Sequence, residues 1–178
     1  NTLTNTSAGN ENANAEAQLG NEFFERIYVK NPIADYIYNE LINQQRNVIL
    51  TGNAGDGKTA IAAEVIAKIT GRFPPLLQDR EELPDSNVVV IKDMSELSSE
   101  KQLELLGDIF LNTNKRYLLV SNTGRLLEGM AQVKSSGLYN ADERELLEAL
   151  DADEPKNIYD NKFLLINIRR MDSIDTAC

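Results

Sequence analysis

One octapeptide restricts the fold more than any other part of this 178-residue chain. Residues 52–59 read GNAGDGKT and satisfy G-x-x-x-x-G-K-[ST] at every fixed position. That pattern works only between a buried strand and the first turn of a helix, and both flanks fit. Val48, Ile49 and Leu50 form a continuous apolar run, as expected of a strand covered on both faces. Ile61, Val65, Ile66 and Ile69 then recur at helical spacing, and Gly71 is placed to end the helix.

The chemistry of such a loop follows from charge. A phosphate chain is a dense anion, and a loop that holds it must bring several backbone N–H groups close to it. Gly52, Gly55 and Gly57 leave room and permit the backbone angles required. The helix that starts near Lys58 aims its unpaired amides and positive dipole end at the anion. Lys58 supplies a charge for the β- and γ-phosphates, and the Thr59 hydroxyl suits a Mg²⁺ ion. The expected nucleotide-binding segment is Gly52, Asn53, Ala54, Gly55, Asp56, Gly57, Lys58, Thr59 and Ala60, with ATP and Mg²⁺ as ligands. A plain glycine turn with an incidental lysine would not account for the strand and helix on either side.

The rest of the chain alternates strands and helices. Pro32 opens a helix over about 32–44, with Asn31 as its cap and Ile33, Tyr36, Ile37 and Leu41 on one face. Residues 72–87, with three prolines, read as a loop. Val88–Ile91, 117–122 (YLLVSN) and 163–168 (FLLINI) read as further buried strands. Ser99 with Gln102 has capping-box spacing, followed by Leu103, Leu106 and Phe110. Asp142 and Glu145 mark another helix start, with Leu146, Leu147 and Leu150 inside. The pattern predicts an α/β fold in three layers, a mostly parallel sheet flanked by helices. Residues 1–20 are poor in large apolar side chains and read as a flexible tail, leaving 21–178 as the nucleotide-binding domain.

Composition excludes several functions. Without histidine there is no Ser/His/Asp triad and no imidazole metal ligand. The single cysteine, Cys178, excludes a disulfide framework and a cysteine-rich metal site. A net charge of −10 disfavours wrapping nucleic acid, so Lys115–Arg116 and Arg169–Arg170 read as solvated surface. No run is long and apolar enough for a membrane span, and a cytoplasmic location is expected. There is no initial methionine and no clear terminal element, so a piece of a longer protein is expected.

A hydrolase of this kind needs an acid at a neighbouring strand end to organise Mg²⁺. Asp93, in VVVIKDMSEL, stands where that acid belongs, although Lys92 interrupts the run and Met94 follows in place of a second acid. Asn122, at the tip of YLLVSN, offers an amide that could reach the γ-phosphate or position a water. Asn122, Thr123 and Gly124 also fit an ordinary turn.

The phosphate loop with an Asn-tipped downstream strand resembles the AAA+ and related STAND ATPases. The resemblance implies ATP hydrolysis, with Lys58, Asp93 and Asn122 as catalytic residues and Thr59 and Asp93 at the metal. It implies a helical lid and an arginine finger from a neighbouring subunit, neither assignable here. It also implies a homo-oligomer or partner subunits in a larger complex. If strand 88–91 stood between the loop strand and YLLVSN, Asn122 would occupy the acid's place, and the site would bind well but hydrolyse poorly. LTGNAGDGKTA, KDMSEL and LLVSNTGRLLE together are similar to the DptF-type ATPases of bacterial restriction systems dependent on DNA phosphorothioation. That likeness implies a role in anti-phage defence. Two other readings remain: a nucleotide-gated interaction module with little turnover, and a small P-loop kinase. Kinases of that sort carry an arginine-rich lid, whereas Arg125, Arg144, Arg169 and Arg170 are scattered. The absence of an N-K-x-D string favours adenine over guanine. Ile33 and its neighbours could line an adenine pocket, but their helical spacing suits a core better.

Overall fold

The computed structural model describes residues 32–112 and 114–171. The expected tail at 1–20, the capping Asn31 and Cys178 lie outside them. The described residues form five helices and six strands, in chain order α1 (Pro32–Ile42), β1 (Asn47–Gly52), α2 (Lys58–Thr70), β2 (Arg80–Leu83), β3 (Val88–Ile91), α3 (Ser99–Leu111), β4 (Arg116–Asn122), α4 (Thr123–Ser135), α5 (Glu143–Asp151), β5 (Lys156–Ile158) and β6 (Phe163–Asn167). Short 3₁₀ turns at Met94–Glu96 and Ile168–Arg170 follow β3 and β6.

The strands form one sheet in the order β2-β3-β4-β1-β6-β5. The four inner strands are parallel, and the two edge strands run antiparallel to their neighbours. Parallel strands covered on both faces must be apolar on both, which is why the inner strands are runs of Val, Ile and Leu. Alternate residues feed two cores. Val48, Leu50, Val88, Val90, Leu118, Val120, Leu164 and Ile166 pack with α1 and α2. Ile49, Val89, Ile91, Leu119 and Leu165 pack with α3, α4 and α5 on the other face. The expected three layers are therefore present.

Two edge strands were not expected. Arg80–Leu83 lies inside the proline-containing stretch read as a loop, yet it pairs with β3. Its charged side chains suit an edge, where one side of the strand meets water. Lys156–Ile158 is a three-residue edge strand beside β6. The α3 cap is Ser98, whose hydroxyl accepts from Lys101 N at 3.3 Å, and not Ser99. Gln102 makes no capping box. It is buried and donates to Met94 O and Leu97 O at 3.1 and 3.2 Å. Asp142 caps α5 as expected, accepting from Glu145 N at 3.1 Å. Leu147 is not inside; it is 47% exposed. Asn122 and Thr123 do not form a free turn, because β4 passes directly into α4 between them.

At the carboxyl end of the sheet the apolar runs give way to polar residues. Thr51 stands in register with Ser121 on one side and Asn167 on the other. All three are buried. The polar row marks where the strands stop being core and start carrying side chains toward a cleft.

Candidate functional site

The loop between β1 and α2 is built around its own backbone. Gly55 and Gly57 adopt φ of +83° and +87°, a region costly to residues with a Cβ. Gly57 is the N-cap of α2 and makes no side-chain cap bond, so the first amides of the helix are left for another acceptor. Asp56 Oδ2 accepts from Asn53 N at 2.6 Å and folds the loop onto itself. The buried Lys58 donates from Nζ to Asn53 O at 2.6 Å, so the ammonium lies along the loop's inner side.

A cleft of about 410 Å³ opens beside this loop. Ala54, Gly55, Gly57, Lys58, Thr59, Lys92, Asp93, Val120 and Asn122 line it. The structure thus brings Lys58, Thr59, Asp93 and Asn122 together from three separate segments. Gly52, Asn53, Asp56 and Ala60 do not line the cleft. Gly52 is buried at the end of β1, Asn53 and Asp56 brace the loop, and Ala60 lies in the first turn of α2. Ile33 packs in the core with α2, as its spacing indicated.

The sheet order places the two polar strand tips. β4 pairs directly with β1, with Gly52 in register with Asn122, and β3 lies beyond β4. Asn122 therefore stands between the phosphate loop and Asp93. The alternative order, with strand 88–91 next to β1, does not occur.

Asn122 and Asp93 are joined by a short network. Ser95 Oγ accepts from Asn122 N at 3.1 Å, and Ser95 N donates to Asp93 Oδ1 at 2.9 Å. Asn at an N-cap usually spends its side chain on the helix amides. Asn122 makes no such bond, and among the described residues its amide group has no partner. Among the described residues Asp93 Oδ2 likewise has no partner. The 3₁₀ turn after Asp93 is held from behind by Gln102, and Arg125 Nη2 donates to Leu97 O at 2.7 Å. Met94, directly after Asp93, is fully buried in the core.

The donors fit a hard divalent cation. The Thr59 hydroxyl and the Asp93 carboxylate are hard oxygen ligands lining one cleft. Among the described residues no group of three or more His, Cys, Asp or Glu could hold a metal alone. A hard divalent cation can keep several waters and take oxygens of a bound anion, so two protein oxygens suffice. Among the described residues no arginine lines the cleft; Arg125 is committed to Leu97 and Glu128, and Arg170 to Asp153.

Sequence patterning passed over two contributors. Lys92 lines the cleft, although in the sequence it reads only as an interruption of the acid pattern. Strand alternation could have found it, because Val88 and Val90 of the same strand face the layer of α2. Ser95 carries no motif, and only the fold shows that it joins Asp93 to Asn122. Among the described residues no helix is long and apolar enough to cross a membrane.

No curated protein and no solved structure matches the chain. A family model described as Novel STAND NTPase 3 matches residues 28–141, from before α1 to the approach to α5. With its phosphate loop, its interposed Asn-tipped strand and an acid just past the strand beyond, the chain belongs to the Novel STAND NTPase 3 family.

Proposed function

We propose that this chain is an ATPase module that binds Mg·ATP at residues 52–59 and passes its nucleotide state to a larger assembly. The observation that carries this reading is the single cleft onto which Lys58, Thr59, Asp93 and Asn122 converge. The loop amides and Lys58 hold the β- and γ-phosphates. The Thr59 hydroxyl and the Asp93 carboxylate would hold Mg²⁺, which when bound neutralises charge on the phosphate oxygens. The Asn122 amide donates to a γ-phosphate oxygen or accepts from the attacking water. Water then adds to the γ-phosphorus, the bond to the β–γ bridging oxygen breaks, and ADP and phosphate leave. The Ser95 link between Asn122 and Asp93 gives the site a way to register loss of the terminal phosphate.

A role in phosphorothioation-dependent restriction, alongside partner subunits or further copies, belongs to this proposal and rests on the motif likeness alone. A second reading is favoured by one observation. Met94 is core, so no carboxylate follows Asp93 to activate water. On that reading the chain is a nucleotide-gated module with little turnover of its own.

ATP binding and hydrolysis measured on one sample, across protein concentrations, separate the two. Turnover that rises with concentration supports an assembling ATPase, and binding without turnover supports the gated module. Lys58→Ala should abolish nucleotide binding in either case. Tight ATP binding by that variant would sink both.

A further inference from the structure

Lys92 is the unusual member of the cleft. In VVVIKDM it stands directly after the apolar run of β3, one position before Asp93. Strand geometry sets its side. Val88 and Val90 pack in the layer of α1 and α2, while Val89 and Ile91 pack in the opposite layer. Alternation gives Lys92 the α2 side. On β4, Leu118 and Val120 share that layer, and Asn122 is the next residue in their series. The α2 helix itself begins at Lys58. Lys92, Asn122 and Lys58 therefore converge on one side of the sheet's carboxyl end, consistent with all three lining the same cleft.

The backbone of Lys92 is pinned, since its N donates to Asp79 O at 2.9 Å. Its ammonium is not engaged: among the described residues it has no hydrogen bond or ion pair. Among the described residues the cleft lining thus holds two ammonium groups and one carboxylate, in a chain whose net charge is −10. The Asp93 carboxylate offsets one of the two ammonium charges, so the described lining keeps a net positive charge that favours a further anion. Lys58 lies along the loop, where the β- and γ-phosphates are held. Lys92 comes from the strand that carries Asp93, farther from β1 than Asn122, and so approaches from the γ side.

We propose that Lys92 is a second phosphate-contacting cation, specific for the terminal phosphate of a nucleoside triphosphate. This rests on the nucleotide reading above and deepens it. The chain would carry within its own sheet part of the positive charge that an arginine from a neighbouring subunit otherwise supplies. ATP would be distinguished from ADP by a residue of the same chain.

The test compares affinities for ADP and for a non-hydrolysable ATP analogue in Lys92→Met, Lys92→Arg and the unchanged chain, with Mg²⁺. Lys92→Met should lose about 10- to 100-fold in affinity for the ATP analogue, as expected for one charge-assisted phosphate contact. Its ADP affinity should stay within about threefold of the unchanged chain, which also reports that the variant is folded. Lys92→Arg should keep the preference for the triphosphate. An unaltered ATP-to-ADP ratio in Lys92→Met would overturn the role of Lys92 and leave the phosphate-loop reading standing. An equal loss of both nucleotides would also overturn it, because the contact would then not be specific to the γ-phosphate. If the unchanged chain bound neither nucleotide, both readings would fall together.

Discussion

Replacing Gly52 with alanine tests how the loop is joined to the sheet. A methyl group added there would stand 2.5 Å from Ile168 Cγ2 and 2.8 Å from Asp56 Oδ2. Carbon atoms in contact prefer about 3.5–4.0 Å, so Ile168 must yield by about 1 Å. Overpacking of that kind costs about 1–3 kcal/mol. Asp56 could rotate away, but its Oδ2 then leaves Asn53 N, which it now meets at 2.6 Å. A hydrogen bond to a charged group is worth about 1.5–3 kcal/mol, and the exposure of Asn53 places this one at the low end. The expected destabilisation is about 2–4 kcal/mol. The chain has no tryptophan, so guanidinium unfolding followed by far-ultraviolet circular dichroism is the suitable assay. Ile168→Ala removes one of the two clashing atoms. In that background Gly52→Ala should cost about 1–2 kcal/mol less than in the unchanged chain. A cost below about 0.5 kcal/mol, or the same cost in both backgrounds, would refute the steric account.

Two further perturbations probe the supports of the site and the distal core. Gln102→Leu keeps the volume but strips Met94 O and Leu97 O of a buried donor. It should destabilise by about 2–3 kcal/mol and reduce any turnover more than ATP affinity, because the Asp93 turn loosens; an unfolding midpoint equal to that of the unchanged chain would contradict this. Tyr139 has its hydroxyl pushed up to about 12, first by burial and then by its bond to Asp160 at 2.5 Å. Burial raises the neighbouring Tyr159 as well. Both are neutral in the fold, and their ordinary value is near 10. The contribution of Tyr139 to stability is therefore intact below about pH 10 and is lost as pH rises toward about 12. Tyr139→Phe should flatten that alkaline fall in a pH series of denaturation midpoints, and an unchanged slope would contradict it.

The inner strands were legible because full burial forces an unbroken apolar run, and α2 because its glycines and periodicity agree. The caps at Gly71 and Asp142 were legible for the same local reason. What escaped was set by partners distant in sequence. Arg80–Leu83 is charged and sits among prolines, and only the free edge of β3 makes it a strand. The start of α4 is written in turn residues, Asn122, Thr123 and Gly124, so local chemistry suggested a loop where β4 meets a helix. Leu147 carries the right period but meets solvent, outside the core that Leu146 and Leu150 of the same helix join. At the cleft, Ala54, Gly55, Gly57, Lys58 and Thr59 could be placed from spacing, and Asp93 and Asn122 from their positions at strand ends, whereas Gly52, Asn53, Asp56 and Ala60 fall outside its lining. Their relative order was not, since strand order depends on which edges pair. Lys92 was visible in the sequence but was set aside as a flaw in a pattern.

The place of β1 at the middle of the sheet also dictates when the chain can finish folding. Asn47, at its foot, accepts from Tyr117 N at 2.9 Å, 70 residues later, and donates to Lys162 O at 3.1 Å, 115 residues later. Neither edge of the strand can be satisfied by anything near it. During synthesis the phosphate loop leaves the ribosome before β4 and β6, so its supporting strand stays bare until both have followed. Nucleotide that binds only the completed sheet would then act as a late latch, drawing the last strand into register rather than seeding the first.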